Sequence, residues 1–487
     1  MVLSYNIFHS ILQNLLDKML RLVFFLILTV TFQANASNNL PDLGASDLKD
    51  YDSQTETLLG KSFSTALHTQ YPLIYDATLL SYIRRIGEKI TGETGQNRHY
   101  SFFIIDNPTI NAFAGPNGII GIHTGLIASA RSEDELASVM AHEIAHVTQR
   151  HLSRTYENQS TASTAGIASI LAAILIGSQN PTAGVAAYMG SIGLNIEKQL
   201  KNSRIHESEA DYFGIKYLNE AGYNPFAMGD FFDRLSKESQ LFKNTPPEIL
   251  MTHPVTENRL AKARDRAEQM NTQKALSYDS LKLMQMRLAF VSQTHTDPFE
   301  NSQLKPEHAC YLRNLKVLYL PNQDIKQFDH QCLEAIIAKN PDERVYKQQL
   351  IEVKVARQDA SALLDLERLM DFYPSDFAIP YLYAKSLAYL GHRDKAIELL
   401  RNRTPNYHYQ YLLYSTLAEL FAQQQQPRFS YYYDALANYN IGNIPKTHRL
   451  LKQLEPMIED KKSTFYLKVS QLLQETEQTL KLYKNAR

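Results

Sequence analysis

Two histidines four residues apart, in the run His142-Glu143-Ile144-Ala145-His146, constrain this chain more than any other feature. On a helix of 3.6 residues per turn both imidazoles leave from nearly one face, with Glu143 rotated toward the space beside them. Two ring nitrogens and an adjacent carboxylate at this spacing are the working end of a zinc peptidase. The flanking residues specify the helix. Ser132 with Glu135 reads as a capping box, Glu133 and Asp134 suit the positive N-terminal end, and Leu136, Val139, Met140 and Val147 form an apolar stripe. The alternative is a chance match on a charged surface helix, and a third ligand decides between the two.

Catalytic zinc takes three protein ligands and leaves one position open, so a further donor must lie elsewhere. The segment from Arg204 to Gly214 supplies candidates on a second helix, marked by Ile205, Ala210, Phe213, Tyr217 and Leu218 and stopped at Gly222. Glu207 and Asp211 are four apart and share a face. One can ligate while the other accepts the second ring N–H of a ligand histidine and fixes its tautomer. A solvated acidic face is the plainer reading of such a pair.

These pieces, with Asn111-Ala112-Phe113-Ala114 before them and Thr252-His253-Pro254 after, resemble the zinc metallopeptidases that include the CAAX prenyl proteases and the heat-shock membrane protease HtpX. Within that group the similarity is strongest to periplasmic members that join the peptidase to tetratricopeptide repeats. The resemblance implies an α+β zincin-like domain, mostly helical with a small sheet, followed by an all-α repeat solenoid. It implies one Zn2+ per chain on His142, His146 and Glu207, with Glu143 as general base and Asp211 holding a ligand in place. Glu209 is the competing third ligand, ranked below Glu207 because the family spacing puts the ligand four before the aspartate. It also implies misassembled outer-membrane β-barrel proteins as polypeptide substrates and the barrel assembly machinery as a partner.

His253 precedes a proline in a loop, with a further helix from Glu257 to about Met270. Brought to the cleft, its ring can stabilise the oxyanion of the reaction, or close the open coordination position and hold the enzyme latent. The residues leave both open. His123, His151 and His206 fall off the metal-facing positions and read as structural or surface residues.

Ser101 to Asp106 and Gly118 to Ile122 read as short buried strands around a Pro/Gly/Asn turn. The Asn111 to Ala114 segment is the candidate edge for pairing with an extended substrate, against the plainer reading of an interior hairpin. From Asn158 to Ile196 no residue is charged. The apolar run within it is too short to span a bilayer, so it reads as a lid, as a segment in peripheral membrane contact, or as ordinary core.

Fifty Lys and Arg against 51 Asp and Glu give no global attraction to nucleic acid, and none is expected as a partner. Lys18 and Arg21 before the apolar run Leu22 to Phe32, then Ala34-Asn35-Ala36, read as an export signal cleaved after Ala36; Met19 is an alternative start. Periplasmic location follows. The two cysteines, Cys310 and Cys332, then read as a disulfide clipping one helical hairpin. The expected boundaries are a signal at 1–36, the peptidase at 37–272, a connecting helix and linker at 273–305 and the repeats at 306–487. Prolines 341, 374 and 405 recur near the 34-residue period of tetratricopeptide repeats. Together these readings describe an exported zinc endopeptidase with a repeat module; a chaperone or scaffold acting through the repeats, with latent proteolysis, is the rival.

Overall fold

Three short strands form the sheet: β1 (Ser101–Ile105), β2 (Ala112–Gly115) and β3 (Ile119–His123). Their order is β1-β3-β2. β1 runs parallel to β3, Ser101 opposite Ile119, whereas β2 runs antiparallel to it, Ala112 opposite Ile122. The Pro/Gly/Asn turn therefore joins β2 to β3, with β3 central and β1 and β2 at the two edges. That turn needs two left-handed residues, Asn117 (φ 59°) and Gly118 (φ 73°). A side chain at Gly118 would also meet the His99 carbonyl oxygen at 2.3 Å, so glycine is required there.

A computed structural model describes residues 53–157, 196–242, 247–270, 280–292, 303–320, 323–341 and 343–485. The expected export signal and nearly all of the uncharged 158–196 segment lie outside them. Among the described residues no helix is long and apolar enough to cross a membrane.

The N-terminal helices are α1 (Ser53–Gln70), α2 (Ala77–Thr91), α3 (Thr124–Ser129), α4 (Glu133–Thr148) and α5 (His151–Glu157). The Ser132 hydroxyl caps α4 by accepting from the Glu135 N–H at 3.2 Å. Glu135 does not complete the reciprocal box: its carboxylate takes the N–H of Arg131, one residue earlier, at 2.8 Å. α4 is buried nearly all round, from Leu136 to Val147, because α2, the sheet and two later helices enclose it. One of those is α6 (Ile196–Glu220). It crosses α4 at Gly214, where an added Cβ would lie 3.2 Å from the Ala141 carbonyl oxygen and from His142 Cα. That close approach sets one turn of α6 directly beside the two histidines. α7 (Ala227–Phe242), α8 (Glu248–Thr252) and α9 (Glu257–Glu268) complete this part, α9 packing on α6.

The remaining helices begin with α10 (Ser280–Val291), which packs on α2 and α3. α11 (Pro306–Tyr319) and α12 (His330–Lys339) are joined by a Cys310–Cys332 disulfide with Cα atoms 6.2 Å apart. Four helical hairpins follow: α13 (Arg344–Ala356) with α14 (Ser361–Phe372), α15 (Ala378–Tyr389) with α16 (Arg393–Arg403), α17 (Tyr411–Gln423) with α18 (Pro427–Asn440), and α19 (Ile444–Leu454) with α20 (Thr464–Asn485). Their first helices begin 34, 33 and 33 residues apart, the spacing of a helical repeat. Small residues at the crossings, Ala384, Ala396, Ala435 and Ala437, are fully buried and let the helices approach. The array packs back on the N-terminal part through α15 against α2.

Candidate metal centre

α4 delivers His142 and His146 to one point, with Nε2 atoms 3.0 Å apart. From α6, Glu207 brings one carboxylate oxygen to 3.4 Å from His142 Nε2 and the other to 3.5 Å from His146 Nε2. A fourth donor arrives from the end of α8. There His253 follows the last turn, its N–H donating to the Ile249 carbonyl at 2.9 Å, and its Nδ1 lies 3.1 Å from both Glu207 oxygens and 3.3 Å from His142 Nε2. One ligand atom from each of these four residues lies within 4.8 Å of all the others.

The surrounding contacts fix which nitrogen of each ring is free. Asp211, one turn beyond Glu207 on α6, places Oδ1 3.1 Å from His142 Nδ1, leaving Nε2 turned inward. Arg259 on α9 holds Asp211 through two bonds, at 2.7 and 2.8 Å, and reaches Glu207 at 3.1 Å. α8 is anchored from the other side: the Asn111 side chain donates to Glu248 at 2.8 Å, and the Ile249 N–H donates to the Ile110 carbonyl at 3.0 Å. The Asn111 side chain therefore braces the helix that presents His253, while the strand itself begins at Ala112.

Charge in this pocket is unbalanced. Burial opposes ionisation of Glu207, but His253, His142 and His146 around it outweigh that and hold its pKa well below the carboxylate range. Burial likewise disfavours a charged His142, yet Asp211 and Glu207 override it and lift its pKa to about 10. Arg259 offsets one of the two buried carboxylates, and the remaining negative charge is met by a second cation, either a proton on the ring or a metal ion. Inward-facing nitrogens and a carboxylate separated by 3.0 to 3.5 Å are what a tetrahedral ion with bonds of about 2.0 Å requires, and the N/O donor set suits zinc.

Glu143 is 1% exposed and lies beside the cluster, with Oε1 3.5 Å from His253 Nε2. Burial raises its pKa, while the charges of His253 and His142 and a bond from the Ala114 backbone work the other way. A carboxylate whose pKa burial pushes upward, beside a metal position, is equipped to take and return a proton. Its bond to Ala114 ties it to the edge strand β2.

Residues 80–267 match the model of Peptidase family M48. The chain carries a family M48 peptidase domain. A protein of Vibrio cholerae is 35% identical over 315 residues, 63% of this chain and 65% of its own length. The Beta-barrel assembly-enhancing protease of Escherichia coli K12 is 36% identical over 255 residues, 52% of each chain. The Mitochondrial metalloendopeptidase OMA1 of Schizosaccharomyces pombe is 29% identical over 193 residues, 39% of this chain and 53% of its own length. The chain therefore spans about half to two thirds of the bacterial relatives it matches.

Two residues of the peptidase domain were not singled out in the sequence as part of the site. Arg259 comes from a helix whose distance from α6 no local pattern encodes. His151, read as structural, places Nδ1 2.8 Å from His146 Nδ1. It gets there because Arg150, with φ 55°, breaks the helix after α4 and turns α5 back. Glu209, the competing third ligand, is turned to His151 instead, its Oε2 2.9 Å from His151 Nε2. His123 and His206 lie outside the cluster, His206 stacked on His151.

Proposed function

We propose that this chain is a zinc-dependent endopeptidase in which His142, His146 and Glu207 hold the metal and Glu143 is the general base. The observation that carries the reading is the convergence of those three donors from two helices beside a buried Glu143 oxygen that has no hydrogen-bond partner. Zinc, when bound, supplies the Lewis acidity that activates water and polarises a carbonyl. Glu143 accepts the proton from the attacking water and passes it to the leaving amine. Asp211 keeps His142 Nδ1 engaged so that Nε2 stays available, and Arg259 holds both Asp211 and Glu207 in register. Strand β2, paired on one side with β3, is the edge to which an extended polypeptide would add, giving main-chain binding with loose sequence preference.

His253 is a latch in this reading. Its Nδ1 stands among the ligand atoms, within 3.3 Å of Glu207 and His142, where it would occupy the position that water must enter. The oxyanion role requires the ring to move outward, and opening the latch is the step that precedes catalysis.

The E. coli relative's name links it to β-barrel assembly. By similarity we assign this chain to the bacterial envelope, with misassembled outer-membrane proteins as substrates and the barrel assembly machinery as partner, recruited through a tetratricopeptide-like array. Dialysis of the purified chain against a chelator tests the metal assignment. Casein cleavage should vanish and return with one equivalent of zinc; cleavage that persists without metal would rule it out.

A further inference from the structure

We infer that His151 and Glu209 form a positioning relay for His146. This rests on the metal-site reading above and adds two residues to it. The two ligand histidines are held by different devices. His142 Nδ1 faces a carboxylate directly, that of Asp211. His146 Nδ1 faces no carboxylate. It meets His151 Nδ1 at 2.8 Å, and the opposite nitrogen of His151 meets Glu209 Oε2 at 2.9 Å.

Only one arrangement of protons satisfies this chain of contacts with a metal at the centre. His146 must keep Nε2 as a lone pair, so it carries hydrogen on Nδ1 and donates to His151 Nδ1. His151 therefore carries its hydrogen on Nε2 and donates to Glu209. A carboxylate that accepts at the far end makes the middle ring a better acceptor, and so strengthens its hold on His146. Three further contacts keep the relay in place. Arg154 Nη1 donates to Glu209 at 2.6 Å, His206 lies flat on His151 with ring centroids 4.4 Å apart, and the Arg150 turn fixes the start of α5. Both rings are buried, His151 at 4% exposure and His206 at 7%, so water does not replace these partners readily. On α6 the alternating carboxylates Glu207, Glu209 and Asp211 thus divide into a ligand, a remote anchor for one histidine and a direct anchor for the other.

Zinc affinity of the full-length protein, measured by competition with a chromophoric chelator, tests the relay without using activity. His151→Leu keeps bulk but makes neither bond, Glu209→Gln removes the anchoring charge, and His151→Gln can still accept and donate. Zinc should dissociate about 10- to 100-fold more readily from His151→Leu and, less severely, from Glu209→Gln. His151→Gln should recover much of that loss, and the melting temperature of the metal-free protein should be the same in all four. Wild-type affinity in both His151→Leu and Glu209→Gln overturns the relay while leaving the metal site intact. A loss of affinity matched by a loss of metal-free stability, with no recovery in His151→Gln, also overturns it. A wild-type chain that binds no zinc overturns the relay and the metal-site reading together.

Discussion

His253 Nδ1 lies 3.1 Å from each carboxylate oxygen of Glu207, closer than any other imidazole of the cluster comes to that residue. A ring in that position competes with water for the metal. His253→Ala should therefore raise casein cleavage by the zinc-loaded enzyme roughly 10-fold, the effect of removing a latch worth about 1.4 kcal/mol. Reduced cleavage at unchanged zinc content would instead assign His253 to the oxyanion. Initial rates at saturating zinc distinguish the two.

Arg287 is fully buried between the peptidase helices and the repeats. From α10 it binds Asp76, the N-cap of α2, through two bonds at 2.7 and 2.8 Å, and also reaches Glu352 on α13 at 2.9 Å and the Tyr319 hydroxyl at 2.8 Å. Arg287→Met leaves two buried carboxylates without their cation. Stability to urea should fall by about 3–5 kcal/mol, far more than a surface ion pair would account for. A loss under about 1 kcal/mol would mean that the two parts are joined by other contacts.

His123 ends β3 with no exposed surface, its Nδ1 2.8 Å from the Thr109 hydroxyl, and burial lowers its pKa to about 4. In the unfolded chain the same ring protonates near 6.5, so between those values the unfolded state binds the extra proton. The stability that this neutral ring contributes is fully present above pH 6.5 and is lost as pH falls toward 4. His123→Phe should flatten the dependence of urea stability on pH over that window by up to about 1.4 kcal/mol per pH unit. Parallel curves for the two proteins would remove His123 as a source of acid sensitivity.

What could be read from the sequence divides along a physical line. His142, His146, Glu207 and Asp211 were legible because each pair is fixed by the pitch of a single helix, and Ser132 because a cap is a local signal. The disulfide and the roughly 33-residue hairpin period were legible for similar reasons. The parallel pairing of β1 with β3 was not, since register between non-adjacent strands leaves no mark in either one. Arg259 was hidden because its helix reaches α6 only through tertiary packing. His151 was hidden by one backbone angle: continuous helix from Thr148 would have carried it away from His146, and the left-handed Arg150 turns it back.

The proposal that Glu143 works on water at a metal held by other residues is tested most directly by Glu143→Gln, assayed for zinc content and casein cleavage together. The amide keeps the shape of the side chain and loses only its capacity to take a proton. Both proteins should carry one zinc per chain, and cleavage should fall about 100-fold or more in the variant. Wild-type cleavage by the zinc-loaded variant would contradict it.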